Sequence, residues 1–191
     1  MADKQANGSK VRVRLRAFAN SLPMNLLLAR EGVMARFRPG LTLFNVSEQQ
    51  WRVLRALTTV DEVEVTALAN ATFLLAPSLS RILKDLEARG LILRRTTEGD
   101  LRKSLISIAP DGQRLLDAVA PYSERMYEEI TAAYGPEKLA ELQRLLRELA
   151  QVTANLPAID IAEVMPDIAQ SDLSDIVGTK RRGRPRAVDE G

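Results

Sequence analysis

The segment 76–108, APSLSRILKDLEARGLILRRTTEGDLRKSLISI, limits what this chain can fold into more than any other stretch. Leu79, Ile82, Leu83 and Leu86 recur at helical spacing, and Ser78, Arg81, Lys84 and Arg89 lie away from them. That pattern predicts an amphipathic helix with one buried stripe and one basic polar stripe. Gly90 ends it, because glycine tolerates the left-handed conformation that closes many helices. Leu91, Ile92 and Leu93 then have the branching of a short strand, 97–100 is turn chemistry, and 104–108 runs back as a second strand. Arg94, Arg95, Arg102 and Lys103 flank the hairpin tip. A helix with a basic outer face joined to a basic ribbon describes a winged helix, whose helix suits a DNA major groove and whose ribbon suits a neighbouring groove or the backbone. Helix and hairpin alone are equally a structural unit with a solvated charged face. The preceding segment makes the pattern more specific: 63–70 predicts a short helix and 71–75 a connection into the second helix.

Composition removes several classes of function. The 191 residues contain no cysteine, so disulfides, thiol redox sensing and thiolate metal sites are excluded. They contain no histidine either, which removes the commonest metal ligand and general base. No paired acid or glycine-rich phosphate loop is placed for catalysis, so neither an enzyme nor a cofactor is expected. With 46% hydrophobic residues there is ample core for one domain. No run of about 18 apolar residues and no signal-like N-terminal stretch is present, which predicts a cytoplasmic chain without a membrane partner.

The net charge of +2 is unevenly spread. Residues 1–20 carry five basic groups against Asp3, and 10–16 alternate basic and apolar residues, suiting a short strand, an arm on DNA or a solvated extension. Residues 156–178 carry Asp160, Glu163, Asp167, Asp172 and Asp175 with no basic residue, and 179–191 are basic again. The reading is a flexible basic arm over 1–20, one folded body over 21–155, an acidic linker over 156–178 and a basic tail over 179–191.

Within the body, Leu22, Leu26, Ala29, Val33 and Phe37 predict a helix over 22–38, opened by Pro23 and stopped by Pro39-Gly40. Ser47-Glu48-Gln49-Gln50 is a capping box, and Trp51, Leu54 and Leu57 point inward from the helix it opens. After the hairpin a long helix runs from Pro110 to about Tyr134 along a Leu115, Val119, Tyr122, Met126, Ile130, Ala133 seam, and another over 137–155 repeats Leu139, Leu142, Leu145, Leu146, Leu149 and Val152. These stripes exceed what one small winged helix buries, so a homodimer is expected. The fold class is therefore mainly α with a small β-hairpin, a winged helix-turn-helix whose long N- and C-terminal helices form a dimerisation region.

Asp100-Leu101-Arg102 with Ile106-Ser107-Ile108-Ala109-Pro110-Asp111-Gly112, and Leu86-Glu87-Ala88-Arg89-Gly90-Leu91, resemble the wing and the recognition-helix exit of the multiple-antibiotic-resistance regulator (MarR) family over about residues 21–155. Ile108-Ala109-Pro110 departs from the family's more frequent Leu-Thr there. Leu27-Leu28-Ala29-Arg30-Glu31 with Met34, Phe37-Arg38-Pro39, Ser47-Glu48-Gln49-Gln50-Trp51-Arg52 and Pro77-Ser78-Leu79 further resemble the branch that represses homoprotocatechuate (4-hydroxyphenylacetate) degradation operons. The resemblance implies a pocket for a phenolic or aromatic acid between the first helices and the long helix after the wing. On this chain it implies Arg30 for the carboxylate, Trp51 for the ring and Met34 beside it, with Arg38 and Arg52 as further candidates. A Trp on an apolar face is more often core than ligand contact, and the alternative for Arg30 is pairing with a nearby glutamate.

On DNA, Pro77, Ser78, Ser80, Arg81 and Lys84 lie on the front of the recognition helix, with Arg81 suited to guanine. Arg102 is expected in the minor groove, oriented by Asp100, and Arg94, Arg95 and Lys103 on phosphates. Arg182-Gly183-Arg184-Pro185 looks like the core of an AT-hook, whose arginines suit a narrow minor groove; a generic basic tail is the alternative. The function expected is a ligand-responsive, dimeric, DNA-binding repressor of an aromatic-acid catabolic operon, released from a palindromic operator by a phenolic or aromatic acid and acting at the nucleoid. An effector-independent architectural DNA-binding protein and a helical dimerisation or adaptor protein are the alternatives.

Overall fold

Residues 16–97, 100–160 and 163 are described by the computed structural model. The basic arm before residue 16, the acidic linker beyond Asp160 apart from Glu163, and the basic tail with Arg182 and Arg184 lie outside the described residues.

A 3-10 turn at Phe18–Asn20 leads into α1 (Leu22–Leu43), with Pro23 in its first turn. The expected stop at Pro39-Gly40 does not occur. Pro39 deletes one backbone donor from the helix interior, and packing against α5 (Pro110–Tyr134) carries the helix past it. The Tyr122 hydroxyl of α5 donates to the Arg36 carbonyl at 2.7 Å. Gly40 lies against the Tyr122 ring so closely that a Cβ would overlap it. Phe37, one turn earlier, meets Tyr127 of α5 with ring centroids 5.0 Å apart.

The capping box forms as the sequence implies. The Gln50 N–H donates to Ser47 Oγ at 3.2 Å and the Ser47 N–H to Gln50 Oε1 at 2.8 Å, opening α2 (Glu48–Leu57). The next expectation needs correction. Val63 and Glu64 are not the start of a helix but a strand, β1 (Val63–Glu64), and α3 (Val65–Thr72) begins after it and ends two residues later than predicted. β1 pairs with the outer edge of β3 (Asp100–Ile108), Val63 opposite Ile106, while β2 (Ile92–Thr97) pairs with its other edge. The expected two-stranded ribbon is thus a three-stranded antiparallel sheet ordered β1-β3-β2. Two β-branched valines in a four-residue apolar-acidic alternation serve helix or strand, and the open edge of β3 decides between them.

The predicted recognition helix is α4 (Ala76–Ala88), followed by Gly90 at φ +68°. Leu79, Leu83 and Leu86 are fully buried with Leu54, Leu57, Leu68, Ile92 and Ile106, so one apolar face from each element closes a single core. Gly112 lets the start of α5 approach the backbone at Leu91, where a Cβ would overlap the carbonyl. Residues from 137 onward form a separate unit whose main element is α6 (Pro136–Ala154). No residue of α6 is buried, and Leu142, Leu145, Leu146 and Val152 are exposed.

Candidate nucleic-acid interface and ligand cavity

The buried stripe of α4 turns its other side to solvent, where Pro77, Ser78, Ser80, Arg81 and Lys84 are all exposed. The helix N-terminus in front of them follows a tight turn. Phe73 takes a left-handed conformation (φ 52°, ψ 41°), and the Leu74 N–H reaches back to the Ala69 carbonyl at 3.1 Å. Arg52 braces this turn from α2, donating from Nη1 to the Thr72 carbonyl at 3.0 Å. Gln50 makes a second tie, Nε2 to Asp85 Oδ2 of α4 at 2.6 Å.

On the sheet, Arg94 and Arg95 are exposed on β2 but engaged. Arg95 grips Glu62 through Nη2 at 2.6 Å and Nε at 3.2 Å, and Arg94 lies 3.4 Å from Glu87. The hydrogen bond from Arg95 holds the Glu62 carboxyl below its ordinary value. Asp100, Arg102 and Lys103 belong to β3, and their side chains are not among those described.

A cavity of about 270 Å³ opens between α1, α2 and α5, lined by Arg30, Val33, Met34, Phe37, Glu48, Trp51, Arg52, Arg55 and Tyr127. It brings together four of the five residues named from sequence, Arg30, Met34, Trp51 and Arg52. Arg38 lines a separate hollow on the far side of Glu48, with Glu31 and Gln49. Arg30 is already paired, with Glu31 and with Glu48, and Glu48 is shared with Arg38, whose Nε lies 2.6 Å from it. Burial pushes the Glu48 carboxyl up, and the hydrogen bonds from Arg38 and Arg30 outweigh it, leaving a net depression below its ordinary value. The Glu31 and Glu48 bonds correspondingly raise Arg38.

Arg55 was not apparent as a pocket residue from sequence. Its guanidinium carbon sits 6.0 Å from the centroid of the Trp51 ring, and among the described residues it has no carboxylate partner. The signal was available, since Arg55 follows Trp51 by four residues and so shares its helical face. Tyr127 had no such signal, because only the packing of α5 on α1 brings it to residues about ninety positions away. The cavity thus has an aromatic and apolar wall, Trp51, Phe37, Tyr127, Met34 and Val33, and in its lining one cation, Arg55, without a carboxylate partner among the described residues. Its size falls just below the roughly 300–1,000 Å³ typical of sites for drug-sized ligands. This arrangement suits a single-ring organic acid.

Among the described residues no cluster of carboxylates is placed to hold a metal ion, and no helix is long and apolar enough to cross a membrane.

Comparison with known proteins points the same way. A model described as MarR family matches residues 44–103. The homoprotocatechuate degradative operon repressor of Escherichia coli is 39% identical over 129 residues, spanning 68% of this chain and 87% of that protein. The HTH-type transcriptional regulator FarR of Neisseria gonorrhoeae is 35% identical over 132 residues, spanning 69% and 90%. Among solved structures, the crystal structure of NadR in complex with 4-hydroxyphenylacetate aligns with a TM-score of 0.63 at 33% identity, covering 73% of this chain and 99% of that one.

Proposed function

We propose, because this chain belongs to the MarR family of winged-helix transcriptional regulators, that it is a repressor whose hold on DNA is released by a single-ring aromatic acid in the α1–α2–α5 cavity. Regulation of transcription, not catalysis, is the activity of its relatives. The observation that carries the effector class is Arg55, a cation without a carboxylate partner among the described residues, set over Trp51 in the lining of an aromatic-walled cavity. The acid's carboxylate pairs with Arg55, its ring packs against Trp51 and Met34, and Arg30 contributes a second positive charge already balanced by Glu31 and Glu48. Arg52 lines the same cavity and holds the turn before α4, so an occupant that draws its guanidinium away loosens the recognition helix. The NadR complex with 4-hydroxyphenylacetate and the homoprotocatechuate operon repressor support a phenylacetate-type acid and an aromatic-acid catabolic operon.

Two copies form the active unit. The exposed Leu22, Leu26, Leu27, Leu28 and Val33 of α1, and separately the exposed leucines of α6, supply apolar surface for a partner. A two-fold dimer sets its recognition helices about 34 Å apart and reads a palindromic operator. Pro77, Ser78, Ser80, Arg81 and Lys84 face the major groove, Arg102 and Lys103 on the wing meet the minor groove and backbone, and Arg182 and Arg184 of the tail add salt-sensitive affinity from the cytoplasmic nucleoid's A·T-rich DNA.

The test is fluorescence anisotropy of the purified protein on duplex DNA from upstream of its own gene, at fixed salt, with and without 4-hydroxyphenylacetate, homoprotocatechuate and hydroxycinnamates. Release of a sequence-specific complex by one acid, abolished in Arg55→Ala, is the expected result. Specific binding indifferent to every acid removes the effector, and binding without sequence preference removes the repressor.

A further inference from the structure

The turn that launches the recognition helix breaks two local rules in three residues. Phe73 occupies the left-handed position that closes α3, where the Leu74 N–H bonds back to the Ala69 carbonyl. Such a position favours glycine or asparagine, since other side chains crowd the following carbonyl. Among the described non-glycine residues only Asn45 and Phe73 have positive φ, and asparagine is the residue that tolerates it. Two residues on, Leu75 is the N-cap of α4, where Ser, Thr, Asp or Asn would bond the first turn; it makes no side-chain cap bond.

Neither residue is compensated by packing. Leu74 between them is half-buried against the core, and its two neighbours project outward, Phe73 with 91% and Leu75 with 78% of its surface exposed. A lone exposed leucine is unremarkable. Two large apolar side chains at positions where local structure prefers glycine and serine are a different matter, because the fold gains nothing from either. Their place is immediately before Ala76, ahead of exposed Pro77, Ser78, Ser80 and Arg81 on the leading end of α4. The turn is pinned by Arg52, which donates to the Thr72 carbonyl at 3.0 Å, and so holds its shape.

We infer that Phe73 and Leu75 are specificity-determining residues that make apolar contact with thymine C5-methyl groups of the operator, in the major groove at the leading end of α4. This rests on the reading of α4 as the recognition helix. Thymine is the base that presents a methyl group in that groove, and an aromatic or aliphatic side chain against it distinguishes thymine from cytosine without a hydrogen bond. Removing a methyl from a buried apolar contact weakens it by about 0.8 kcal/mol, about fourfold in affinity.

The variants that test this are Phe73→Gly and Leu75→Ser, each of which improves local geometry while deleting the apolar group. A preferred duplex is first selected from a random pool by the wild-type protein, then bound at fixed salt with its thymines replaced one at a time by deoxyuridine. Expected are melting temperatures at or above wild type, dimers of unchanged mass, about tenfold weaker binding for Phe73→Gly and about fourfold for Leu75→Ser. The wild type is expected to lose about fourfold at particular deoxyuridine positions to which the variants are indifferent, with the salt slope unaltered because no phosphate contact is lost. Wild-type affinity in both variants, or undiminished sensitivity to deoxyuridine, overturns the assignment. A lower melting temperature or a change in mass overturns it in favour of a structural or dimer contact. Failure of the wild type to enrich any sequence would instead refute the underlying DNA-reading function, at a step before any variant is used.

Discussion

Leu79, Leu83 and Leu86 on α4 have lost all contact with solvent, whereas Leu142, Leu145 and Leu146, at comparable helical spacing on α6, stand exposed. Both helices carry the same kind of leucine stripe. On α4 the stripe meets α2, α3 and the sheet within one chain, and the winged-helix lobe closes its own core. On α6 no residue is buried, although Arg144 is braced against Glu141 and Glu148 on its polar side. Periodicity therefore defines which face is apolar, and whether the chain or another copy covers it is a separate question.

Substitutions separate the two cases. Leu83→Ala opens a cavity in a closed core and should lower the unfolding free energy by about 2–5 kcal/mol in urea titration; a loss under 1 kcal/mol would mean that this core is not the rigid one. Next is the seam between α1 and α5, where Gly40→Ala drives a methyl into the Tyr122 ring and should cost about 1–3 kcal/mol by the same titration. On the open face, Leu145→Glu should shift sedimentation from dimer to monomer while the unfolding of the winged-helix lobe changes by no more than about 0.5 kcal/mol. A dimer that survives this change would place α6 outside the interface and break the comparison.

The smallest effect is electrostatic. The folded Glu48 carboxyl lies below its ordinary value of 4.5, so its pairing with Arg30 and Arg38 stabilises the fold fully above that pH and is lost as pH falls through the depressed folded value. Glu48→Gln should slightly lower stability at neutral pH, where the pairing is fully present, and converge with the wild type as pH falls below about 4.5, which flattens the acid limb; identical acid limbs would remove Glu48 as a contributor.

Much of this was legible along the chain. The α4 stripe, Gly90, the capping box at Ser47 and the break between α5 and α6 are local signals, each set by side chains within a few residues of one another. Pro39-Gly40 misled for an equally physical reason. A proline and a glycine weaken a helix by amounts that burial of Phe37 and Leu41 and the Tyr122 bond to Arg36 can override. At Val63 the helical and strand patterns are indistinguishable over so short a run, and the edge of β3 made the choice. In the cavity, Trp51 and Arg55 were readable as one helical face, while Arg38 was drawn away by Glu31 and Glu48 to the other side of that ion network.

Sequence alone determined the order of the helices, the basic winged-helix signature, and the absence of thiol and imidazole chemistry, because spacing and composition need no partner to be read. Tertiary structure decided that α1 runs through its proline, that the wing has a third strand, and that α5 delivers Tyr127 to the cavity of Trp51 and Arg55. Those outcomes depend on contacts between residues up to about ninety positions apart, whose energies exceed the local preferences they overrule and leave no periodic trace in the chain.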